Sequence, residues 1–477
     1  MNNMTNAPMN TDGSNPGLGG LLKGRGLVLT GAGLLIVILI IVVIVIGSSG
    51  GKKTATTVKS SNSLVIWGTE PSANFDGLIT NFQSKNTGYK ITYVQKDSST
   101  YLTDSLNAIS SGTGPDVWAV PNTWMAKYHT SMIPMTTDLI ADKKAKKTDA
   151  DVYKTLFPKV IVQDNIIADK IYGIPMSIDN LVLFYNKTIL TKTLNEYFAA
   201  GNKDLDGSIA QMFTTGPKSW DDFVKLSKMV TKKEGSNITQ SAIALGTPDN
   251  VRASADILTL LMLQDGAKMV SSNLDSANFA NAENVFNGQQ FPGAQALNFY
   301  TAFANPGNSL YTWNSSITDS LHAFANGQTA MMIDYLAATT DVSRINPNAN
   351  IGTFSVPQVK ETSNPVDYSS YITYTVPKSS PNSVLAWQFI NFIANSASTT
   401  AYTSKTQSQP VLLSSITSNS ARGKRIINSQ TWYMPDPVLT PPILKNAIKQ
   451  VNDGKNAQTA IEYAASQVTD LLKKLKN

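Results

Sequence analysis

From Leu64 onward the apolar positions follow two rhythms. Short apolar runs, LVIW at 64–67 and DVWAV at 116–120, alternate with stretches whose apolar residues fall three and four apart. Phe75, Leu78, Ile79 and Phe82 form one such helical face, with Asn74 as its expected N-cap; Leu102, Leu106 and Ile109 form another. Ile91 and Tyr93 alternate in a strand between them, and Gly112, Gly114 and Pro115 lead into the strand at 116–120. The order is βαβαβ, which predicts an α/β lobe with a mainly parallel sheet. Ligands of such sheets sit beyond the carboxyl ends of the strands. Residues 67–70 and 121–124 occupy those ends, which makes Trp67, Glu70, Asn122 and Trp124 candidates for a binding site.

The second half carries more helix. Ser219 stands three residues before Asp222 at the head of a helix whose inward face is Phe223, Leu226 and Val230. Residues 253–263 and 299–303 are helical. FANGQTAM at 324–331 is a small-residue turn leading into a strand that ends at Asp334 and Tyr335. Residues 368–376 alternate, are rich in aromatics and stop at Pro377, so they read as a crossing between two layers, with Tyr371 near its middle. Trp387, Ile390 and Ile393 belong to a buried helix, and Ile461, Ala464, Val468, Leu471 and Leu472 share one face of a helical C-terminus. Residues 187–216 show no regular period and read as an irregular insertion. Within it Asn202, Asp204, Asp206 and Gly207 match the start of a calcium loop, but the twelfth position is Phe213 rather than Glu. A plain turn is expected there, and no metal.

The N-terminus differs in kind. Residues 1–26 are rich in Asn, Gly and Met without periodicity and read as a disordered tail. Residues 27–46, LVLTGAGLLIVILIIVVIVI, carry no charge over a length that matches the ~30 Å hydrocarbon thickness of a bilayer. A single transmembrane helix is expected. A cleaved signal peptide is the alternative, although its apolar core usually runs to only about 7–15 residues. Residues 47–63, GSSGGKKTATTVKSSNS, read as a flexible tether. Their resemblance to a phosphate-binding loop fails, since the spacing is one residue short and no Ser or Thr follows Lys52.

Charge narrows the function. The net charge is +6, but Lys23, Arg25, Lys52, Lys53 and Lys59 against Asp12 place +4 of it before Leu64, leaving +2 for the other 414 residues. That is no surface for nucleic acid. The lysine run at 141–148 reads as a solvated face. Cysteine is absent, which removes disulfides, thiol chemistry and thiolate metal sites. The two histidines, His129 and His322, are far apart in sequence, and neither HExxH nor GxSxG occurs. Carboxylates are plentiful enough to include a glycosidase pair, but no pair stands out, and no cofactor is required.

The stretch that organises the chain is KIYGIPMSIDNLVLFYN, residues 170–186. An apolar strand breaks at Gly173 and Pro175, exposes Asp179 and Asn180, and resumes as a second apolar strand. Proline fixes φ and lacks a donor, so a strand interrupted there leaves one sheet for another. This stretch closely resembles the signature of the family 1 extracellular solute-binding proteins, the maltose-binding-like components of ABC importers. Four more stretches agree in order and spacing: residues 64–94, GTGPDVWAV at 112–120, PKSWDDFVKLSKMVT at 217–231 and FANGQTAMMIDY at 324–335.

The resemblance implies a two-lobed α/β periplasmic-binding-protein fold of type II-like form, closing on a hinge around a cleft. Residues 64–177 with 319–367 are expected in lobe 1, and 182–318 with 377–477 in lobe 2. The large domain would lie on the extracytoplasmic side of a single-pass anchor. It would work as a monomer, handing a small solute, expected to be a sugar or oligosaccharide, to ABC permease subunits; the alternatives are a sensor built on the same closing domain, or a non-sugar solute such as a peptide or a phosphorylated polyol. Asp179 and Asn180 match the polar pair that often contacts ligand in the family, while Tyr185 and Asn186 match a pair with a structural role. Sugar sites combine an aromatic face with a few placed polar groups. Trp313 and Trp432 are therefore the expected stacking residues, with Asp334, Tyr335 and Tyr371 at the cleft edge. Trp118 and Trp387 are expected in the core.

Overall fold

The computed structural model describes residues 62–235, 237–285, 288–360 and 364–476. The expected tail, membrane span and most of the tether lie outside the described residues. Among the described residues no helix is long and apolar enough to cross a membrane.

Among the described residues two large sheets, each with a core of its own, carry the architecture. In the first, Ser63–Gly68 pairs in parallel with Lys90–Gln95 and Val117–Pro121, and Ile372–Pro377 adds antiparallel to Val117–Pro121. The helix predicted from Phe75 begins at Asp76, after a 3₁₀ turn at Ser72–Asn74, and Asn74 does not cap it. Pro71 precedes that turn in an extended conformation, at φ −56° and ψ 131°. In the second sheet, the ten-residue strand Ser177–Asn186 is the spine. It pairs antiparallel with Thr329–Tyr335, Ile351–Ser355 and Asp367–Ser370, and Thr329–Tyr335 pairs in parallel with Asn237–Ala244.

These pairings correct the expected division into lobes. Residues 319–367 belong with the second lobe, because Thr329–Tyr335 hydrogen-bonds to Ser177–Asn186 along Met331↔Tyr185 to Tyr335↔Leu181. Conversely, the helices Ser383–Ile393 and Ser396–Thr406 pack on the first lobe, where Trp387, Phe389 and Ile390 are fully buried with Phe82 and Leu64. Gln409–Pro410 pairs with the first-lobe end of the spine strand at Ile178 and Ser177, the chain joins the second-lobe core only from about Ser429, and the C-terminal segment forms two helices, Thr440–Asn452 and Ala457–Lys476. A strand's own pattern says that it is buried, not which sheet accepts its hydrogen bonds.

The chain thus crosses between lobes three times. The first crossing follows Ile174–Pro175, with Met176 and Ile178 in the first core and Leu181 in the second. The second passes through Tyr371, between a strand paired to Asn180 and a strand paired to Pro121. The third runs through 427–432. Gly173 before the first crossing is required by contact: a Cβ there would collide with Thr373 and Asn165.

The insertion at 187–216 is more regular than its pattern suggests. It holds the helices Lys187–Ala199 and Ser208–Thr214. Asn186 Oδ1 caps the first by accepting from Ile189 N at 3.1 Å, so this residue of the YN pair is a helix cap. The would-be calcium-loop acids serve the second: Asp204 accepts from Ile209 N and Ala210 N, and Asp206 from Ser208 N. Ser219 does cap its helix, accepting from Asp222 N at 3.1 Å.

Candidate functional site

A pocket of about 460 Å³ opens between the lobes. Asn122 and Met125 come from the end of strand Val117–Pro121 and the turn after it, Asp164 from the helix Lys159–Asn165, Leu274 from a second-lobe loop, and Thr431 and Trp432 from the third crossing. Strand ends and a crossing meet there because the sheet stops at Pro121 and the chain must return at 431.

The polar wall is built around Asp164. Tyr371 Oη donates to its Oδ2 at 2.7 Å, Asn122 Nδ2 donates to the same oxygen at 3.1 Å, and Thr431 Oγ1 donates to Oδ1 at 2.7 Å. Behind it, Asn165 Nδ2 donates to Tyr371 Oη and Thr373 Oγ1 donates to Asn165 Oδ1, while Tyr371 N donates to Asn122 Oδ1. Burial pushes the Asp164 carboxyl up to about 6 against the pull of its three donors. An ionised carboxylate has about four acceptor sites, and three are used, so one remains for a ligand donor. Trp432 faces this wall from the second lobe, packed edge-on to Phe279 at 6.4 Å between ring centres. Close by, Lys127 of the first lobe forms an ion pair with Asp436 beyond the third crossing. Asp436 also accepts from Val438 N and Leu439 N.

One family model, described as bacterial extracellular solute-binding protein, matches residues 67–400. The chain belongs to this family. A galactooligosaccharide-binding protein of Bacillus subtilis (strain 168) is 28% identical over 153 residues, which are 31% of this chain and 34% of that protein. The chain therefore matches about a third of the length of this curated relative. The sugar-binding protein MalE of Xanthomonas citri shares the fold with a TM-score of 0.66 at 16% identity, over 87% of this chain and 98% of that one. A solute-binding protein of an ABC transporter from Thermotoga lettingae, bound with α-D-tagatose, does so at 0.63 and 18% identity, over 86% and 100%. The family acts by binding, not by catalysis.

Within this solute-binding protein the candidate residues separate. Asn122 and Trp432 line the pocket, and Tyr371 reaches it through Asp164. Trp313 does not: it is fully buried in the second-lobe core, its indole Nε1 donating to Thr247 Oγ1 at 3.1 Å and Asn250 Oδ1 at 3.2 Å. Its position in a loop left exposure open, and a matching pair of acceptors decided it. Trp67 and Trp124 belong to an aromatic cluster of the first lobe. Trp124 lies 5.7 Å from both Tyr101 and Trp118, and Lys96 Nζ sits 3.6 Å over the Trp67 ring. Glu70 turns into that lobe, accepting from Tyr374 Oη at 2.9 Å and from Tyr402 Oη; burial raises its pKa, opposed by the two tyrosines.

The polar pair at the first crossing is occupied by protein. Asp179 accepts from Leu336 N at 3.0 Å, Ala337 N at 2.9 Å and Asn180 N at 2.7 Å, and burial lifts it to about 6. Asn180 donates to Ser369 Oγ at 2.9 Å, tying two crossing strands together. Asp334 is buried beside Arg252, 3.7 Å from its Nε, with its pKa raised by burial. Tyr335 donates to the buried Asp256 at 3.0 Å. All four thus have structural partners.

Asp164, Thr431 and Leu274 were not foreseen. Asp164 sits in KVIVQDN, where nothing in the spacing separates it from an ordinary helix-end acid. Thr431 could have been found as the polar neighbour of Trp432.

Proposed function

We propose that this extracytoplasmic binding protein captures a sugar or short oligosaccharide in the pocket between its lobes and delivers it to the permease of an ABC importer. The observation that carries the reading is the pairing, within one pocket, of the Trp432 ring with the Asp164, Asn122 and Thr431 wall. Sugar rings present a C–H face that packs on an aromatic face, and hydroxyls that need planar polar partners. Lobe closure about the crossings brings the two walls together. The uncharged run at 27–46 would hold the protein beside its permease, raising its effective concentration.

The test is a thermal-shift and calorimetric screen of mono- and oligosaccharides, polyols, peptides and phosphorylated solutes. A saturating ligand at about 100 times its Kd stabilises the fold by about 2.7 kcal/mol. Trp432→Ala should weaken sugar binding by about tenfold or more. The loop position of Trp432 ahead of two prolines suggests a residue free of packing, but it is 8% exposed and packed on Phe279, so the same change should also lower the stability of the empty protein by roughly 3–5 kcal/mol. Unchanged affinity in the folded variant would remove the stacking model. Binding of peptides or phosphorylated solutes, with sugars inert, would overturn the solute class.

A further inference from the structure

A second cavity, of about 330 Å³, lies at the first crossing and shares no lining residue with the pocket between the lobes. Asn180 and Asp367 line it from the second-lobe sheet, Ser355 from the neighbouring strand, and Gln409, Arg422 and Arg425 from the segment that follows the first-lobe helices. The volume is at the lower end of the range for small-molecule sites.

Its charge is unbalanced. Arg425 Nη1 donates to Asp367 Oδ1 at 2.8 Å and to Val356 O at 3.0 Å, so the buried carboxylate is neutralised by its own cation. Among the described residues no carboxylate pairs with Arg422. Its Nε donates to Gln409 Oε1 at 3.2 Å, an orienting bond that leaves both terminal guanidinium nitrogens without a protein acceptor among the described residues. Gln409 in turn donates to Asn180 Oδ1 at 3.4 Å, and Asn180 to Ser369 Oγ. A cation is therefore held in place at a cavity mouth by an amide chain that ends on the crossing strands. A guanidinium so held presents a planar fork suited to two oxygens of one anion.

We propose that this cavity is a second ligand site, taking a small oxyanion, a carboxylate or a phosphate, on Arg422. The site bridges the lobes. Ile426, one turn from Arg422, is buried in the first core, whereas Leu181, beside Asn180, is buried in the second. An anion seated there makes contacts that depend on how the lobes are set. It therefore changes the affinity of the solute pocket, and by reciprocity the solute changes the affinity for the anion by the same factor.

The experiment is calorimetric titration of the full chain with inorganic phosphate, succinate and citrate at fixed ionic strength, with chloride as the control. Wild-type protein should bind at least one of the three more tightly than chloride. Arg422→Gln should weaken that binding about tenfold or more, as expected for loss of a charge-assisted bidentate pair. Arg422 is exposed, and among the described residues its loss breaks only the bond to Gln409, so the variant should fold with an unchanged melting temperature. Trp432→Ala should leave anion affinity intact, which separates this site from the solute pocket. Phosphate alone binding would identify a phosphate site, and succinate or citrate alone a carboxylate site; either supports the proposal. No binding beyond chloride, or equal binding by Arg422→Gln, would overturn it.

Discussion

Asp164→Asn probes the polar wall through pH. The amide can keep all three contacts: its oxygen in place of Oδ2 still accepts from Tyr371 and Asn122, and its nitrogen in place of Oδ1 can donate to Thr431 Oγ1. What it removes is a titration. Asp164 has its pKa raised from 3.8 to about 6 on folding. Between those values the folded state holds more protons than the unfolded state, so stability falls as pH rises. The contribution is fully favourable below about 4 and fully lost above about 6. A shift of about two units corresponds to roughly 3 kcal/mol, an upper figure because the side chain opens onto a solvated pocket. Urea denaturation of wild type and variant at intervals from pH 4 to 7.5 is the assay. The other raised carboxyls, Glu70, Asp179, Asp256, Asp265, Asp334 and Asp367, are common to both proteins and cancel in the difference. The variant should gain on wild type by about 2–3 kcal/mol across that window. A flat difference, or one of opposite sign, would refute the claim that burial outweighs the three donors at this carboxylate.

Three further outcomes are expected. Trp313→Phe should lower stability by about 1–3 kcal/mol, since Thr247 and Asn250 lose a buried donor, while solute affinity stays within about twofold; weakened affinity at unchanged stability would return Trp313 to the site. Lys127→Met breaks the only ion pair that Asp436 makes among the described residues, so the average lobe separation, followed by small-angle scattering, should increase; an unchanged radius of gyration would show that the pair does not hold the lobes. The full chain should stay in the membrane fraction after high-salt and carbonate washing, because salt screens charge but does not weaken burial of an uncharged twenty-residue run; a soluble form beginning near Gly47 would mean that the segment is cleaved.

Much of the architecture is written locally. The alternation of strand and helix from Ser63 to Pro121, the break at Gly173 and Pro175, and the crossing at Tyr371 are all legible, because φ restriction, side-chain periodicity and a missing donor act within a few residues. The capped helix at Ser219 is legible for the same reason. Ownership of elements by lobes is not. Thr329–Tyr335 and Ser383–Ile393 are apolar in ways that either sheet would accept, and only the pairing with Ser177–Asn186 and the packing on Phe82 assign them. The site shows the same division. Trp313 and Trp432 are both loop tryptophans in sequence, yet Thr247 and Asn250 converge on one and the pocket opens beside the other. Asp179 looked free to meet a ligand until the N–H groups of Leu336 and Ala337, more than 150 positions away, proved to occupy it. Local sequence determines what a segment can become and which side chains can do chemistry. Which of them face the pocket depends on hydrogen-bond partners and packing neighbours brought from distant parts of the chain, and these exist only in the folded molecule.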